Sequence, residues 1–343
     1  MLRVSDLVEV RSAEEILATL DAAGALEQLP FMPEMLSFCG RRYRVSAIAH
    51  KTCDTVSNSG GRKLQGTVHL SGLRCDGSAH GGCQAACSIF WKEAWLRRVV
   101  PQEAAAALPA LRSVGDLTES QLRAGVSHRA PGGEEVFQCQ ATQLVVFTQP
   151  LNWWDFSQYV RDVSSGNHGL LHVVRVLLLA GIKCLQRLPF GYKVSQALYN
   201  TVHRLMTGGR SPYVDGAVAH GVLTPQGTLD LQPGELVRVK PLDEIALTLN
   251  SENKNRGLSF DPEMARFCGH EYRVRGRITR IVDERTGQML QMKNPCITLE
   301  GVACLGEYSR CRLLCPRAIT PYWREIWLQR ESPDKVASVG RDR

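Results

Sequence analysis

The chain has 343 residues, of which 44% are hydrophobic and 22% are charged, and this composition excludes a disordered or fibrous protein. The length is sufficient for two or three domains. The formal net charge of +7 is too small to identify a partner. Residues 151–212, however, contain seven Lys or Arg and only two acidic residues, so most of the basic character lies in the middle of the chain.

No secretory signal peptide is recognisable at the N-terminus, which predicts a cytoplasmic protein. The twelve cysteines are therefore expected to be metal ligands, catalytic thiols or buried apolar residues rather than disulfides. The longest apolar stretch, residues 169–188, includes five polar or charged side chains. A transmembrane helix is not expected there.

The first predicted elements are a short strand over residues 7–11 and a helix directly after it. Ser12 with Glu15 three residues later is a capping box, which marks the start of that helix. A turn containing Pro-Glu-Met follows at residues 33–35, and from Tyr43 onward β-favouring residues alternate with polar ones. This pattern predicts a small antiparallel barrel or rolled sheet, and its opening is similar to that of SH3-like barrels.

The middle of the chain has a different pattern. Its first third is rich in alanine, glycine and proline, as in a linker. Polar residues then recur at helical spacing from His168, which predicts an amphipathic helix up to about residue 188. A second helix over residues 194–205 is expected to end at Gly208. We predict a helical hairpin, with Leu171, Val174, Leu178 and Ile182 on the apolar face of its first helix.

The chain contains an internal repeat. An offset of 229 aligns residues 5–75 with residues 234–304 without a gap, and 22 of the 71 pairs are identical. The strongest agreement is between FMPEMLSFCGRRYRV and FDPEMARFCGHEYRV. The sequence therefore predicts two copies of one domain. The predicted domains are residues 1–99 (first copy), 100–232 (linker and hairpin), 233–332 (second copy) and 333–343 (tail), and the predicted class is α+β.

Four cysteines recur in each copy. They are Cys39, Cys75, Cys83 and Cys87 in the first copy, and Cys268, Cys304, Cys311 and Cys315 in the second. Four thiolates can hold one tetrahedral metal ion, so we predict two zinc sites. Iron–sulfur clusters use the same ligands and stay an alternative. Buried free thiols are a further explanation.

Other residues have a structural explanation. Cys53, Cys139, Cys184 and Cys296 have no counterpart in the other copy, and we interpret them as buried thiols. Glu34 and Glu263 of Pro-Glu-Met are expected to cap a turn. The paired tryptophans are expected to be core anchors; they are Trp91, Trp95, Trp323 and Trp327.

The repeat motif P-E-M-x-x-F-C-G-x-x-Y-R-V, followed by N-P-C-I-x-L-E-G-V-x-C and P-Y-W-R-E-I-W-L, resembles a bacterial family of duplicated cysteine-containing proteins. The resemblance covers both repeats, and the Trp153-Trp154 region looks like part of the same pattern. It implies no particular activity, cofactor or partner.

Three functions compete at this point. A tandem zinc-binding module that acts as a scaffold or binds a protein partner is the leading hypothesis, because no known catalytic motif is present. An iron–sulfur electron-transfer protein or enzyme component is the second hypothesis. A nucleic-acid-binding protein is the third. Residues 151–212 are the predicted contact region for nucleic acid or for an anionic membrane surface, which would make the protein membrane-peripheral.

Overall fold

The computed structural model describes residues 1–57, 59–99, 117–185, 192–309 and 312–331. Helix accounts for 25% and strand for 26% of these described residues, and the sheets are antiparallel. The predicted mixture of α and β structure is therefore confirmed. Parts of the predicted segment 100–232, the whole predicted tail 333–343 and Cys311 lie outside the described residues.

The strands are short except for one long pair. In chain order they are β1 Leu7–Val10, β2 Ala25–Leu26, β3 Leu29–Pro30, β4 Arg42–Ile48, β5 Lys51–Cys53, β6 Gly61–Lys63, β7 Thr67–Leu70, β8 Trp91–Lys92, β9 Leu96–Arg98, β10 Ser127–Arg129, β11 Glu135–Phe137, β12 Gln149–Leu151, β13 Leu236–Val239, β14 Lys254–Asn255, β15 Leu258–Ser259, β16 Glu271–Val282, β17 Met289–Leu299 and β18 Leu328–Arg330.

The longest helices lie in the middle of the chain. The α-helices are α1 Ala13–Leu17, α2 Glu119–Ala124, α3 Leu144–Phe147, α4 Ser157–Ser165, α5 Leu170–Leu185, α6 Tyr192–Thr207 and α7 Leu242–Ala246. Short 3₁₀ helices cover Pro33–Phe38, Glu93–Trp95, Pro262–Phe267 and Glu325–Trp327. In the described ranges no helix is both long and apolar enough to cross a lipid bilayer.

The chain forms two compact units. The first contains Met1–Leu177, Arg280–Leu290 and Ser309–Ala318; the second contains Leu178–Thr279, Gln291–Tyr308 and Ile319–Arg343. The predicted division into four consecutive segments concerns the sequence repeat and stays a prediction.

The first unit is built on a five-stranded sheet in the order β8-β7-β4-β1-β9. Val8 and Val10 of β1 are fully buried and alternate with partly exposed residues, as expected for a strand with one face on a core. Opposite Val8 lie Tyr43 on one side and Arg98 on the other. The core includes Phe31, whose ring meets Trp95 edge to face at 5.1 Å.

A second, three-stranded sheet in this unit has the order β12-β6-β5. Lys51 and Cys53 of β5 pair with Lys63 and Gly61 of β6. All three residues of β5 are buried. This sheet therefore places a lysine in the interior, where charged side chains are uncommon.

The second unit is built on a four-stranded sheet in the order β17-β16-β13-β18. Leu236 and Val237 lie opposite Arg273 and Tyr272. Phe260 meets Trp327 edge to face at 5.4 Å. This core is therefore also anchored by tryptophan, as expected for the residue with the largest apolar surface.

The two predicted helices of the middle segment are present as α5 and α6, although their junction lies outside the described residues. The predicted apolar face of α5 is wrong in part. Ile182 is buried, but Leu171 is 87% exposed and Val174 and Leu178 are exposed as well. Its buried side is instead formed by Val173, Val176, Leu179 and Ile182. A helix that is apolar on most sides gives no unique hydrophobic face from its spacing alone.

Candidate metal centre

The candidate metal centre lies beside a cavity of the first unit with a volume of about 30 Å³. That volume is enough for one or two water-sized occupants. Seven side chains that can ligate metal or titrate line it: Glu34, Cys75, His80, Cys83, Cys87, Cys139 and Glu284.

Glu34 is placed by the 3₁₀ helix Pro33–Phe38. Pro33 suits the first turn because its φ angle is fixed and its missing N–H would have no partner there. The Glu34 side chain is buried. Its Oε1 lies 3.4 Å from the Cys75 sulfur, whereas Oε2 is buried without a hydrogen-bond partner. A buried carboxylate oxygen without a hydrogen bond is unfavourable.

Cys75 and His80 are brought together by a compact loop. The Cys75 N–H donates to the Cys87 carbonyl at 2.9 Å, and the His80 N–H donates to the Gly77 carbonyl at 3.1 Å. Gly77 has φ +72°, and a Cβ there would lie 2.0 Å from the Cys83 carbonyl oxygen. Only glycine fits at position 77 of this loop. The resulting distance from the Cys75 sulfur to His80 Nε2 is 3.4 Å.

Burial controls the charge of all three groups. It raises the pKa of the Glu34 carboxyl and of the Cys75 thiol, and it lowers the pKa of the His80 imidazole. His80 Nδ1 is buried without a hydrogen bond and lies 3.8 Å from Glu34 Oε1. Without a cation these groups favour their neutral forms. A bound divalent cation would favour a thiolate and a carboxylate instead, with release of protons.

The geometry fits a metal ion. One ligand atom from each of Glu34, Cys75 and His80 lies within 4.8 Å of the others. In a tetrahedral zinc site with bonds of about 2.0–2.3 Å, ligand atoms are separated by about 3.5 Å. The two 3.4 Å distances from the Cys75 sulfur match that spacing. Within the described part of the chain this is the only group of three or more such residues with this geometry.

The predicted cysteine ligands of the first copy fall in different places. Cys75 belongs to the three-residue group, and Cys83 and Cys87 line the same cavity. Cys39 ends the 3₁₀ helix Pro33–Phe38 and packs against the hydrophobic core. The structure thus joins Cys75 to Glu34 and His80, and the four-cysteine set stays a prediction.

The predicted ligands of the second copy are divided between the units. Cys268 and Cys304 belong to the second unit, and Cys315 belongs to the first. Cys311 lies outside the described residues. The second four-cysteine set therefore also stays a prediction.

Sequence reasoning missed Glu34 and His80 as ligands. The candidate ligands are residues that the two copies share, and residues 304–315 contain no histidine, so His80 is not among them. Glu34 is shared, but its expected role is that of a turn cap, with a general base beside a metal-bound water as the alternative. The proximity of a cysteine, a histidine and a second cysteine in CDGSAHGGC was the available signal, because such a run offers several metal ligands.

Comparison of the chain with known protein families, with curated proteins and with solved structures found no match.

Proposed function

We propose that the protein binds one zinc ion through Glu34, Cys75 and His80. The observation that supports this most strongly is the convergence of a carboxylate, a thiol and an imidazole in a buried site. Buried groups of this kind are unfavourable unless they are hydrogen-bonded, paired or bound to metal.

Zinc is the best chemical match. It accepts sulfur, nitrogen and oxygen ligands together, whereas magnesium and calcium prefer oxygen alone. Three protein ligands leave one position of a tetrahedral zinc ion open. The adjoining cavity offers either a water molecule or a further thiol, from Cys83 or Cys87, as the fourth ligand.

We propose that the zinc ion stabilises a domain that binds a partner. We also propose that the second unit contains a related copy of this domain. The strand pairings support this. Leu7 lies opposite Arg44 in the first unit, and Leu236 lies opposite Arg273 in the second, each 229 positions later. A common SH3-like barrel is the architecture proposed for both copies, and the histidine ligand is specific to the first.

An iron–sulfur cluster is the second candidate. Four cysteines line the cavity, namely Cys75, Cys83, Cys87 and Cys139, and four thiolates are the usual ligands of such clusters. Cys139 in place of Cys39 distinguishes this set from the one predicted by the repeat.

The test is metal analysis with an absorbance spectrum on full-length protein purified without air. We expect one zinc ion per chain and no visible absorption. Cys75→Ser and His80→Asn should reduce the zinc content to a small fraction, because each removes one of three protein ligands. Cys304→Ser and Cys139→Ser are the matched controls and should retain one ion.

Each other outcome has a clear meaning. Two zinc ions per chain, one lost in Cys39→Ser and the other lost in Cys268→Ser, would replace this proposal with the two four-cysteine sites. Iron, sulfide and visible absorption that disappear in Cys139→Ser would favour the cluster. Wild-type protein that retains no metal after purification and binds none on titration with zinc would reject metal binding.

A further inference from the structure

The second unit contains a cleft that is separate from the metal centre. Its volume is about 380 Å³, far larger than the cavity of about 30 Å³ beside the metal centre. The cleft is lined by residues of α6, of the loop after α6 and of α7, and all of them belong to the second unit. Small-molecule sites in proteins usually have volumes of about 300–1,000 Å³. The cleft therefore has the size of a site for a small organic molecule.

One wall of the cleft is formed by α6. Asn200, Thr201 and Arg204 all line the cleft and lie within about one turn of this helix. Residues three or four positions apart share one face of a helix. All three side chains are exposed, and within the described part of the chain the Arg204 guanidinium makes no ion pair. This wall therefore offers a cation, an amide and a hydroxyl to a ligand.

A second arginine reaches the cleft from the loop after α6. Arg210 Nη1 lies 2.6 Å from Asp243 Oδ2 of α7, and this ion pair orients the guanidinium. Ser211 lies beside it, and the Ser211 hydroxyl accepts from the Tyr213 N–H at 3.4 Å, so its own O–H can donate elsewhere. The charged lining residues are Arg204, Arg210 and Asp243. The cleft is therefore positive overall.

The apolar wall of the cleft contains a ring that is held in place. The Tyr213 hydroxyl donates to the Tyr308 carbonyl oxygen at 2.7 Å. The Lys183 ammonium lies 3.7 Å from the centre of the Tyr213 ring, where the ring quadrupole attracts a cation. Val214 and Leu242 add aliphatic surface to the same cleft. A ring fixed in this way loses little freedom when a ligand packs on it.

The chemistry of these groups indicates the class of ligand. A guanidinium pairs well with a phosphate or a carboxylate. Two guanidinium groups, with the amide and hydroxyl donors beside them, provide more donors than one carboxylate accepts, whereas a phosphate monoester has three strong acceptor oxygens. A flat nucleobase can stack on a tyrosine ring. We propose that this cleft binds a nucleoside monophosphate, with its phosphate at Arg204 and Arg210 and its base against Tyr213.

A structural explanation of the arginine on α6 makes a different prediction. A cation in the last turn of a helix offsets the helix dipole, and Arg204 occupies that turn of α6. This explanation requires no ligand. It does not account for Arg210 and Tyr213, which lie outside the helix and line the same cleft.

The test is isothermal titration calorimetry of the full-length protein with adenosine monophosphate. Adenosine, inorganic phosphate and ribose 5-phosphate are titrated in parallel, because each lacks either the phosphate or the base. Adenosine monophosphate should bind at least about tenfold more tightly than each of these three, because both its phosphate and its base make contacts. Protein treated with a chelator should bind it equally well, because the cleft contains none of the proposed zinc ligands.

Arg204→Met and Arg210→Met should each weaken the binding of adenosine monophosphate at least about tenfold, because each removes charge-assisted hydrogen bonds to the phosphate. Arg275→Met is the matched control. Arg275 is also an exposed arginine of the second unit, but it lies on β16 and does not line the cleft, and its variant should bind as wild type. Tyr213→Leu should weaken adenosine monophosphate and leave ribose 5-phosphate unchanged, because only the base stacks on the ring.

Three results with wild-type protein would overturn the proposal, and none depends on the folding of a variant. They are no binding at millimolar adenosine monophosphate, equal affinities for adenosine monophosphate and adenosine, and equal affinities for adenosine monophosphate and ribose 5-phosphate. A folded Arg204→Met variant that is less stable but binds as wild type would also overturn it, and would leave the helix dipole as the role of Arg204. None of these results bears on zinc binding in the first unit.

Discussion

At the scale of single residues, the buried histidine His69 makes folding sensitive to acid. Its Nδ1 lies 2.8 Å from the Ile89 carbonyl oxygen, and its ring contacts Phe90 at 4.7 Å between centroids. Burial lowers the pKa of His69 to about 4, from 6.5. The folded protein therefore resists protonation that the unfolded chain accepts. Stability from this residue is fully present above pH 6.5 and is lost as the pH falls toward 4.

We predict that His69→Asn reduces the loss of stability between pH 6.5 and pH 4. The lowering of the His69 pKa from 6.5 to about 4 corresponds to about 3 kcal/mol of stability over that interval. Urea denaturation at several pH values would measure it. The raised pKa of buried Asp162 acts in the opposite direction, but it is common to both proteins and cancels in the comparison. Exposed His128→Asn is the control, and an equal pH dependence in His69→Asn and wild type would contradict the prediction.

The role of a residue could be predicted where both copies contain that residue, and it was harder to predict for residues found in one copy alone. The four tryptophans were expected in the cores and are fully buried there. His80 was not expected at a site, because it has no counterpart in the second copy. Its importance depends on contact with a residue distant in sequence, Glu34, which local patterns do not contain.

At the scale of secondary structure, the start of α1 was predicted correctly. Ser12 Oγ accepts from the Glu15 N–H at 3.2 Å, and Glu15 Oε2 accepts from the Ser12 N–H at 3.0 Å. The corresponding helix α7 begins after Pro241, which makes no side-chain cap. The helix therefore begins at equivalent positions of the two copies, with a capping box in the first copy and a proline in the second. Both are local in sequence, and this is why a pattern of a few residues was enough.

We predict that Ser12→Ala destabilises the first unit by about 1 kcal/mol, because the Glu15 N–H at the start of α1 loses its acceptor, the Ser12 hydroxyl. Ser164→Ala is a suitable control. Ser164 is also an exposed helical serine, but its hydroxyl donates to the Arg161 carbonyl within α4, and its change should be within about 0.5 kcal/mol of zero. Chemical denaturation of both variants tests this. If Ser12→Ala changes stability no more than Ser164→Ala does, the cap contributes nothing to stability.

At the scale of the whole molecule, the order of residues along the chain did not predict which segments belong to each compact unit. Repeat alignment assigns residues 280–290 and 309–318 to the second copy, whereas they belong to the first unit. Within that unit Val136 bridges to Gln288, and the Val282 N–H lies 3.3 Å from the Cys83 sulfur. Such long-range pairings follow from packing of the complete chain, and strand patterns alone do not contain them.

The exposed apolar residues near the middle of the chain call for a partner surface, and we predict that an anionic membrane provides it. In the first unit, Trp154, Phe156, Val160, Leu170, Leu171 and Val174 are all exposed. Residues 151–212 also hold the local excess of positive charge. Aromatic and aliphatic side chains together with basic residues are typical of segments that bind at the membrane interface.

The test is sedimentation with vesicles of phosphatidylcholine, with and without phosphatidylglycerol. Binding should require the anionic lipid and should weaken at high salt, because the charge attraction is screened. Leu171→Asp should reduce binding by about tenfold, because it removes buried apolar area and adds a charge that the lipid repels. Leu247→Asp alters another exposed leucine, in the second unit, and should bind as wild type. Protein that stays in the supernatant at both salt concentrations would exclude the membrane, and a protein partner would then be the surface that covers Leu171 and its neighbours.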